Sequence, residues 1–250
     1  MSPELSPDVS VVVPIYNEEK ILRTAIVELL RSLKASGWRH EVILAENGST
    51  DDTIAIAEDL SRTHREVRLL SIGAPNYGRA LRRGILASQG KVVICEEIDL
   101  CDAHFHRVAF QNLADPETDM IVGSKLVAGA DDRRPLFRHI ASLIYTLALR
   151  ILLGFPGTDT HGLKAFKRKR LAEIVDACVI EKDVFASELV IRAHRAGLTV
   201  RELPVGISEK RPQSINLLKR VPNVLTNLAK LTWVIRFARP RRPTADAVVL

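Results

Sequence analysis

The first hundred residues alternate between short apolar runs and longer amphipathic stretches, and each run predicts a strand followed by a helix. The runs VSVVVPI, EVILAE, VRLLSIG and KVVIC are rich in Val, Ile and Leu. Strands of this kind are buried on both faces of a sheet. Between them, apolar residues recur at spacings of three and four, as on one face of a helix. This alternation predicts a Rossmann-like α/β fold, a mostly parallel sheet sandwiched between helices.

The second half of the chain has a less regular pattern, with no internal repeat and no linker to divide it. Its predicted elements are a strand in DMIVGSK, a helix from about residue 137 to 153, a turn and strand in GTDTHGLKAFKR, a helix from Val184 to Ala196 and a last strand in TVRELPVGI. We therefore expect one domain over residues 1–214 and a separate C-terminal segment over residues 215–250.

The C-terminal segment, residues 215–250, predicts a basic amphipathic helix with a loose end. Its apolar residues recur at helical spacing beside Trp233, and the stretch from Lys210 to Pro243 contains neither Asp nor Glu. This is the profile of a helix in a membrane interface, and a helix packed on its own domain with a basic outer face fits the same pattern. The last eight residues, PTADAVVL, are expected to be loose.

Composition narrows the class of protein. The 250 residues are 46% hydrophobic, enough for a large core, and the net charge of +6 suggests an anionic partner. Aromatic residues make up only 5% and form no platform with basic ones, so nucleic acid is disfavoured. Three cysteines without metal-site spacing indicate free thiols in a reducing compartment.

The N-terminus has no secretory signal, and the apolar run at 140–155 is broken by Arg150 and too short to span a bilayer. We expect a cytoplasmic protein, at the inner face of the membrane if its C-terminal helix binds lipid.

Candidate chemistry is expected at the carboxyl ends of the strands, where open α/β sheets bind their ligands. The chain has neither GxGxxG nor GxxxxGK[ST], so dinucleotide and P-loop sites lose their main support. Instead, KVVIC runs into the acidic stretch EEIDLCD. Glu97 and Asp99 would project to the same side of an extended chain and offer hard oxygen ligands to Mg²⁺ or Mn²⁺. The alternative is a solvated strand end, which explains Glu96, pointing the other way, and Asp102 as a helix N-cap.

Three other polar groups have local explanations. Ser49 and Asp52 predict a capping box for the second helix. His104 and His106 face different directions on a helix, so surface histidines are expected rather than a zinc site. Asp159, between glycines in GTDTHG, fits either an Asx-turn or a carboxylate on a loop facing the cleft.

Six segments follow one another in a distinctive order along roughly residues 8–216. They are VSVVVPIYNEE, ENGSTDDT, NYGRALRRGILASQGKVV, the acidic stretch, DTHGLKAFKR and ELPVGISEKRPQS. In this order they resemble the family 2 glycosyltransferases of GT-A fold, and within them the polyprenyl-phosphate (dolichyl-phosphate) mannosyl- and glucosyltransferases. Each segment alone is a weak signal, whereas six in the right order are specific.

The resemblance implies a metal-dependent inverting hexosyltransferase that uses a nucleotide sugar such as GDP-mannose or UDP-glucose. Glu97 and Asp99 would occupy the acidic places of the family's D-x-D motif, whose Mg²⁺ or Mn²⁺ bridges the diphosphate and stabilises it as it leaves. The residues implied to hold the base and ribose of the donor are Pro14, Tyr16, Glu18 and Glu46.

The resemblance also implies a polyprenyl phosphate acceptor, which is already an anion and needs cations rather than a strong base. The positions that match phosphate-binding places of the family are Lys125, Arg138 with Ser142, and Arg211 with Ser214. An ordinary solvated cation is the alternative for each of them. A sugar hydroxyl as acceptor would instead require a general base, for which the candidates are Asp159 and Glu188.

Three positions depart from the family pattern. Glu97 stands where the family has Asp and is followed by the bulky Ile98, Glu46 also replaces Asp, and Lys125 replaces Arg. Because both acidic changes keep the charge, we expect them to retune the donor or the metal. Two other functions fit the same residues: a family 2 transferase acting on a polysaccharide or soluble acceptor, and a non-catalytic nucleotide-sugar-binding protein. A sugar nucleotidyltransferase is disfavoured because PIYNEE replaces its glycine-rich loop.

Overall fold

The structure, a computed structural model, describes residues 6–132, 135–182, 184–207 and 221–237. The strands within these ranges are β1 (Val9–Ile15), β2 (His40–Glu46), β3 (Val67–Ser71), β4 (Val92–Cys95), β5 (Met120–Ser124), β6 (Asp131–Asp132), β7 (Lys164–Lys167), β8 (Val200–Pro204) and β9 (Gly206–Ile207). The helices are α1 (Leu22–Ala35), α2 (Thr53–Thr63), α3 (Tyr77–Ala87), α4 (Ala103–Leu113), α5 (Leu136–Leu153), α6 (Arg168–Ala177), α7 (Phe185–Arg195) and α8 (Val221–Phe237).

Seven strands form one sheet in the order β3-β2-β1-β4-β7-β5-β8, and β6 pairs with β9 separately. The pairs β1 with β2, β1 with β4, β2 with β3 and β5 with β8 are parallel. The mostly parallel sheet predicted from the sequence is therefore confirmed. Strand β7 runs antiparallel to both its neighbours, so the loop before it, residues 154–163, reaches the sheet edge where β4 and β5 end.

The sheet is covered on both faces, as the uninterrupted apolar strands predicted. Every residue of β1 is buried, and its side chains alternate between two hydrophobic cores. Val11 and Val13 pack in the core that contains residues of α1, α2 and α4. Val12 packs in the core that contains residues of α3, α5, α6, α7 and α8. The helices thus form two layers, with the sheet between them.

The start of α2 differs from the predicted capping box. The N-cap residue Asp52 makes no side-chain capping hydrogen bond, and the helix begins at Thr53. The carboxylate of Asp51 instead accepts a hydrogen bond of 3.0 Å from the Thr53 N–H. Ser49 is drawn away from the helix because its hydroxyl accepts a hydrogen bond from the N–H of Asn17.

Two helices of the second half also differ from expectation. Helix α6 was not predicted because it opens with three basic residues, although it buries Leu171 and Val175 four residues apart. Helix α5 begins at Leu136, and within the described ranges it is the one helix long and apolar enough, by length and composition, to cross a membrane. The prediction considered only the run at residues 140–155, whereas the helix begins four residues earlier and has 18 residues. The helix nevertheless buries Leu149 and Leu153 in the domain.

Candidate active site

A cavity of about 150 Å³ opens at the carboxyl ends of β1, β2 and β4. The parallel register places Ile15 beside Glu46 and Val12 beside Cys95, so the loops after these strands converge at one edge. The residues that line the cavity are Pro14, Ile15, Tyr16, Glu18, Asn47, Tyr77, Glu97, Ile98 and Asp99. The structure therefore brings together five of the predicted site residues: Pro14, Tyr16, Glu18, Glu97 and Asp99.

The loops after β1 and β2 are joined by hydrogen bonds around Asn17. Its backbone is left-handed, with φ of 54°, a conformation that Asn tolerates better than most residues. The Asn17 side-chain oxygen accepts a hydrogen bond of 2.8 Å from the N–H of Thr50. The N–H of Glu18 donates to the hydroxyl of Thr53 at 2.7 Å. These contacts fix the wall of the cavity that Tyr16 and Glu18 form.

The acidic loop after β4 is held from inside by Glu96. Its carboxylate is buried and accepts hydrogen bonds from the N–H groups of Glu97 at 2.9 Å and Asp102 at 3.2 Å. It also lies 2.5 Å from Nε2 of His106, which is buried as well. The predictions of a surface or capping role for Glu96 and of a surface position for His106 are therefore wrong. The chain turns after β4 and closes over Glu96 instead of continuing into solvent.

Glu97 and Asp99 reach the same cavity through a turn, not along an extended strand. Strand β4 ends at Cys95, and the N–H of Leu100 donates to the carbonyl oxygen of Glu97 at 3.0 Å. Asp102 ends the loop as the predicted N-cap of α4, accepting hydrogen bonds from the N–H groups of His104 and Phe105.

Tyr77 contacts the acidic loop from the start of α3. Its hydroxyl donates a hydrogen bond of 2.6 Å to Oε1 of Glu97. Burial raises the pKa of Glu97, and Asp99 adds to this effect, while the Tyr77 hydrogen bond and Lys164 oppose it. The next residue is glycine because a Cβ on Gly78 would lie 2.6 Å from the carbonyl oxygen of Glu181.

Glu46 lies behind the cavity and does not line it. The residue is fully buried, and its carboxylate accepts hydrogen bonds of 2.5 Å from the N–H of Ser49 and from the hydroxyl of Ser71. Burial acts to raise the pKa of Glu46, but these hydrogen bonds outweigh it and lower the pKa. The structure thus gives Glu46 an internal supporting position. Its neighbour Asn47 lines the cavity instead, and the Asn47 side-chain oxygen accepts a hydrogen bond from the N–H of Asn76.

A second cavity of about 580 Å³ adjoins the first, and Glu97 lines both. Its other lining residues come from the acidic loop, the start of α4, the residue after β5, the loop before β7 and the chain after β8: Leu100, Cys101, Asp102, Ala103, His104, Lys125, His161, Gly162, Leu163, Val205 and Gly206. The two cavities therefore meet at Glu97.

Lys125 and Asp159 form a buried ion pair at the second cavity. The distance between Lys125 Nζ and Asp159 Oδ2 is 2.6 Å, and both side chains are nearly inaccessible. Burial acts to raise the pKa of Asp159, but Lys125 outweighs it and lowers the pKa. The Asp159 carboxylate also accepts a hydrogen bond from the N–H of His161, which is the predicted Asx-turn. The Asx-turn is therefore confirmed, whereas Asp159 is not among the lining residues of either of these two cavities and approaches the second one through Lys125.

Glu202 on β8 fixes the loop that carries Asp159. Its carboxylate accepts hydrogen bonds from the N–H of Thr158 at 2.6 Å, the hydroxyl of Thr158 at 2.8 Å and the N–H of Asp159 at 3.2 Å. At the other end of the loop, a Cβ on Gly162 would overlap the carbonyl oxygen of Gly123 on β5. The loop is therefore attached to two strands of the sheet.

The remaining predicted residues lie elsewhere. Glu188, a candidate base, is fully buried on α7 and lines neither cavity; its carboxylate accepts hydrogen bonds from two backbone N–H groups and from Arg192. Its predicted catalytic role is corrected to a structural one, since its acceptor sites are already used. Arg138 and Ser142 lie one turn apart in α5, and the Ser142 hydroxyl donates to the Arg138 carbonyl at 3.0 Å. Arg211 and Ser214 lie outside the described residues.

Comparison with known proteins identifies the family. The model of a protein family described as glycosyl transferase family 2 matches residues 10–175 of the chain. The chain belongs to this family. Residues 10–175 run from β1 into α6 and include Glu97, Asp99 and Asp159. The match therefore covers the sheet edge where the cavities open.

Curated relatives of this family 2 glycosyltransferase support the resemblance to the polyprenyl-phosphate branch. The dolichyl-phosphate beta-glucosyltransferase of Drosophila melanogaster is 30% identical over 230 residues, which are 83% of this chain and 68% of that protein. The dolichyl-phosphate hexose transferase of Haloferax volcanii is 25% identical over 204 residues, covering 81% and 84%. Glycosyltransferase AglD of the same organism is 29% identical over 241 residues, or 94% of this chain, but the chain spans only 38% of its length.

Solved structures confirm the GT-A fold of the family 2 glycosyltransferase. Glucosyl-3-phosphoglycerate synthase from Mycobacterium tuberculosis, solved with UDP, has a TM-score of 0.64 at 21% identity and matches 90% of this chain and 80% of its own. A complex of the same enzyme with Mn²⁺, UDP and glucosyl-3-phosphoglycerate also has a TM-score of 0.64, at 20% identity, covering 94% and 81%.

Tyr77 and Lys164, like Asn47, were not singled out from the sequence. Tyr77 stands in NYGR, directly before a motif glycine, but nothing local indicates that its hydroxyl reaches Glu97. Lys164 is a buried lysine at the start of β7 whose ammonium donates to the Gly162 carbonyl at 2.6 Å. Burial lowers the pKa of Lys164, while Asp159 and Glu97 oppose that effect. The sequence feature that could have pointed to Lys164 is a lysine within the otherwise apolar strand segment LKAF.

Proposed function

We propose that this family 2 glycosyltransferase moves a sugar from a nucleotide sugar of the GDP-mannose or UDP-glucose type to a polyprenyl phosphate, with inversion at the anomeric carbon. The observation that carries the proposal is the pair of adjoining cavities that share Glu97. The first has three carboxylates among its lining residues, Glu18, Glu97 and Asp99, and the second includes the buried cation Lys125. Carboxylates that can bind a metal ion suit a donor diphosphate, and a lysine suits an anionic acceptor.

The first cavity is assigned to the donor by the residues that line it. Pro14, Tyr16 and Glu18 form one wall and would contact the base and ribose, and Asn47 takes the place that the resemblance assigned to Glu46. Tyr16 is 41% exposed, so its ring is available for stacking on a base. The buried Glu46 would support this wall through Ser49 and Ser71 without touching the nucleotide.

Glu97 and Asp99 would hold a divalent cation. Within the part of the chain that the structure describes, no group of three or more His, Cys, Asp or Glu side chains is placed to hold a metal. In nucleotide sites, Mg²⁺ and Mn²⁺ are commonly bound by one or two protein carboxylates, while phosphate oxygens and water molecules fill the remaining coordination positions. The bound ion would supply Lewis-acid stabilisation of the departing diphosphate. Relatives in fold have been solved with Mn²⁺ and UDP, in agreement with this use.

The ion pair of the second cavity favours a phosphate over a hydroxyl as acceptor. A hydroxyl acceptor requires a general base with a pKa near the working pH, whereas Lys125 lowers the pKa of Asp159. An ammonium group carries three hydrogen-bond donors, and Asp159 uses one of those on Lys125. The others would orient an acceptor phosphate. The dolichyl-phosphate transferases among the relatives support the same acceptor class.

A transfer assay tests the proposal. Purified protein is incubated with radiolabelled GDP-mannose or UDP-glucose, with and without Mn²⁺, and with polyprenyl phosphate, 3-phosphoglycerate or no acceptor. We expect metal-dependent label in the lipid phase only with polyprenyl phosphate. Label in a soluble product would favour the alternative acceptor class, and donor binding without turnover in any combination would favour a non-catalytic binding protein.

The proposal also covers the domain bounds and the place where the protein works. Residues 1–214 would form the catalytic domain, with Arg211 and Ser214 adding to the acceptor phosphate site, and residues 215–250 would form the basic tail. The protein would work on the cytoplasmic side, bound to the inner face of the membrane where a polyprenyl phosphate presents its head group.

A further inference from the structure

Exposed large apolar side chains are concentrated on two neighbouring helices. Among the described residues, 13 such side chains are exposed, and every one except Tyr16 belongs to α5 or α8. The set on α5 is Leu136, Phe137, Ile140, Leu143, Ile144, Leu147, Ile151 and Leu152, and the set on α8 is Val224, Leu225, Trp233 and Phe237. A soluble domain rarely exposes a continuous surface of this kind unless another molecule covers it.

The exposed residues of α5 form one face of the helix. Their spacings of one, three and four keep them on one side of the helix along its 18 residues. The opposite side holds Thr146, Leu149 and Leu153, which are buried in the domain. Helix α5 therefore lies along the domain with its apolar stripe facing outward, an orientation that suits the surface of a bilayer rather than its interior.

Helix α8 extends the same surface. It packs beside α5, and the guanidinium of Arg236 donates hydrogen bonds to the carbonyl oxygen of Leu152 at the end of α5. Leu228 and Leu231 anchor α8 in the domain core, while Trp233 is 53% exposed. Trp is favoured at the boundary between lipid and water because its ring is apolar and its N–H is polar.

The charges of the two helices favour one kind of occupant. Neither α5 nor α8 contains Asp or Glu, and their cations include Arg138, Arg150, Lys230 and Arg236. A second copy of the chain, docked symmetrically through this face, would bring these cations together without acids of the same helices to pair them. An anionic lipid surface complements both the apolar stripe and the positive charge.

We propose that α5 and α8 together form a lipid-docking face that binds the surface of an anionic bilayer. The sequence pattern indicated such a role for the C-terminal helix, and the structure adds α5 as the larger part of the face. Helix α5 is also attached to the acceptor-side loop, since the Thr146 hydroxyl donates to the Thr158 carbonyl at 2.8 Å. Binding would thus place the second cavity close to the membrane.

Vesicle flotation of the full chain tests this face without using donor, metal or acceptor, so its result is separate from that of the transfer assay. Vesicles contain phosphatidylcholine alone or phosphatidylcholine with phosphatidylglycerol. We expect binding to the anionic vesicles, weakened by salt, and a loss of at least about tenfold in the variant Ile144→Glu/Leu147→Glu, because two apolar contacts are replaced by charges that lipid repels. These side chains are 62% and 55% exposed, so the substitutions leave the core intact.

The matched control is Thr24→Glu/Ala55→Glu, which adds the same two charges at exposed positions of α1 and α2 in the opposite helix layer. This variant should bind the vesicles like the parent, and circular dichroism melting should show that all three proteins are folded. Three results would overturn the proposal: no binding to any vesicle, equal binding to neutral and anionic vesicles, or unchanged binding of the Ile144→Glu/Leu147→Glu variant. A dimer that this double substitution dissociates in the absence of lipid would instead assign the face to a second copy.

Discussion

The hydroxyl of Tyr77 donates a 2.6 Å hydrogen bond to Oε1 of Glu97, and this contact links α3 to the acidic loop. Glu97 stands where the family pattern has Asp, so its carboxylate extends one methylene further into the cavity. Burial and the nearby Glu97 raise the pKa of Tyr77 well above its usual value, so the phenol keeps its proton and remains a donor. The contact holds Oε1 of Glu97 where the two cavities meet.

Tyr77→Phe should weaken metal-dependent donor binding while preserving the fold. A hydrogen bond to a charged group contributes about 1.5–3 kcal/mol, so we expect roughly a tenfold or larger rise in the Mn²⁺ concentration needed for half-maximal thermal shift with nucleotide. The melting temperature without ligands should change little, because the ring is retained. An unchanged Mn²⁺ requirement would show that Tyr77 does not position Glu97.

Neutralising the acidic pair should remove metal-dependent turnover. Glu97→Gln and Asp99→Asn each delete one charged oxygen ligand, and we expect a loss of roughly 100-fold or more in transfer rate. Asp102→Asn is the matched control in the same loop, since Asn also caps helices well. Equal losses in the control and in the pair would indicate damage to the loop rather than loss of a metal site.

Separating Lys125 from Asp159 should destabilise the domain. Removing one partner of a buried pair leaves an uncompensated charge, so Lys125→Met should lower the free energy of unfolding by about 3 kcal/mol. The double variant Lys125→Met/Asp159→Asn should be less destabilised than the single one, because neither charge remains. Urea unfolding of the four proteins in a double-mutant cycle measures the coupling, and additive effects would contradict it.

The same pair predicts a pH dependence of stability at acid pH. Because the pKa of Asp159 is lower in the folded protein than the ordinary value of 3.8, the unfolded chain takes up the proton first as pH falls. The stabilisation from this group is therefore complete above about pH 5 and is lost as pH falls through 3.8 toward the folded pKa. Over that pH range, the free energy of unfolding should decrease less in the double variant than in the parent. Parallel plots of unfolding free energy against pH would show that Asp159 makes no such contribution.

Glu202→Gln should disturb the acceptor side through the loop that carries Asp159. The change removes the negative charge, and with the glutamine oxygen kept on the N–H groups of Thr158 and Asp159 it places an NH₂ group, in place of an acceptor, opposite the Thr158 hydroxyl, at a cost of about 1–3 kcal/mol. We expect a higher KM for polyprenyl phosphate with donor binding unchanged. An equal effect on donor and acceptor would show that Glu202 supports the domain as a whole.

Much of the fold was predictable from local pattern. The run from Val9 to Ile15 is apolar at every position but one because both faces of β1 are covered, and the helices on either side have matching periodic faces. Asp102 was recognised as an N-cap because capping depends on only a few neighbouring residues. Helix α6 was missed since its basic first turn obscures two apolar residues that only packing against the sheet makes important.

The order and type of the residues from Pro14 to Asp159 determined by themselves the family, the α/β sheet and the strand-end location of the acidic pair. Tertiary structure alone decided which carboxylates face a cavity: Glu97 and Asp99 do, whereas Glu96, Glu46 and Glu188 are buried on internal partners. Neighbouring acids look alike in sequence, but their environments depend on backbone turns and on partners from other elements, such as His106 of α4 for Glu96 and Ser71 of β3 for Glu46. Helix α5 is a further case. Its sequence shows that the helix is apolar, but only the packing of the domain decides which of its apolar residues are buried and which are exposed.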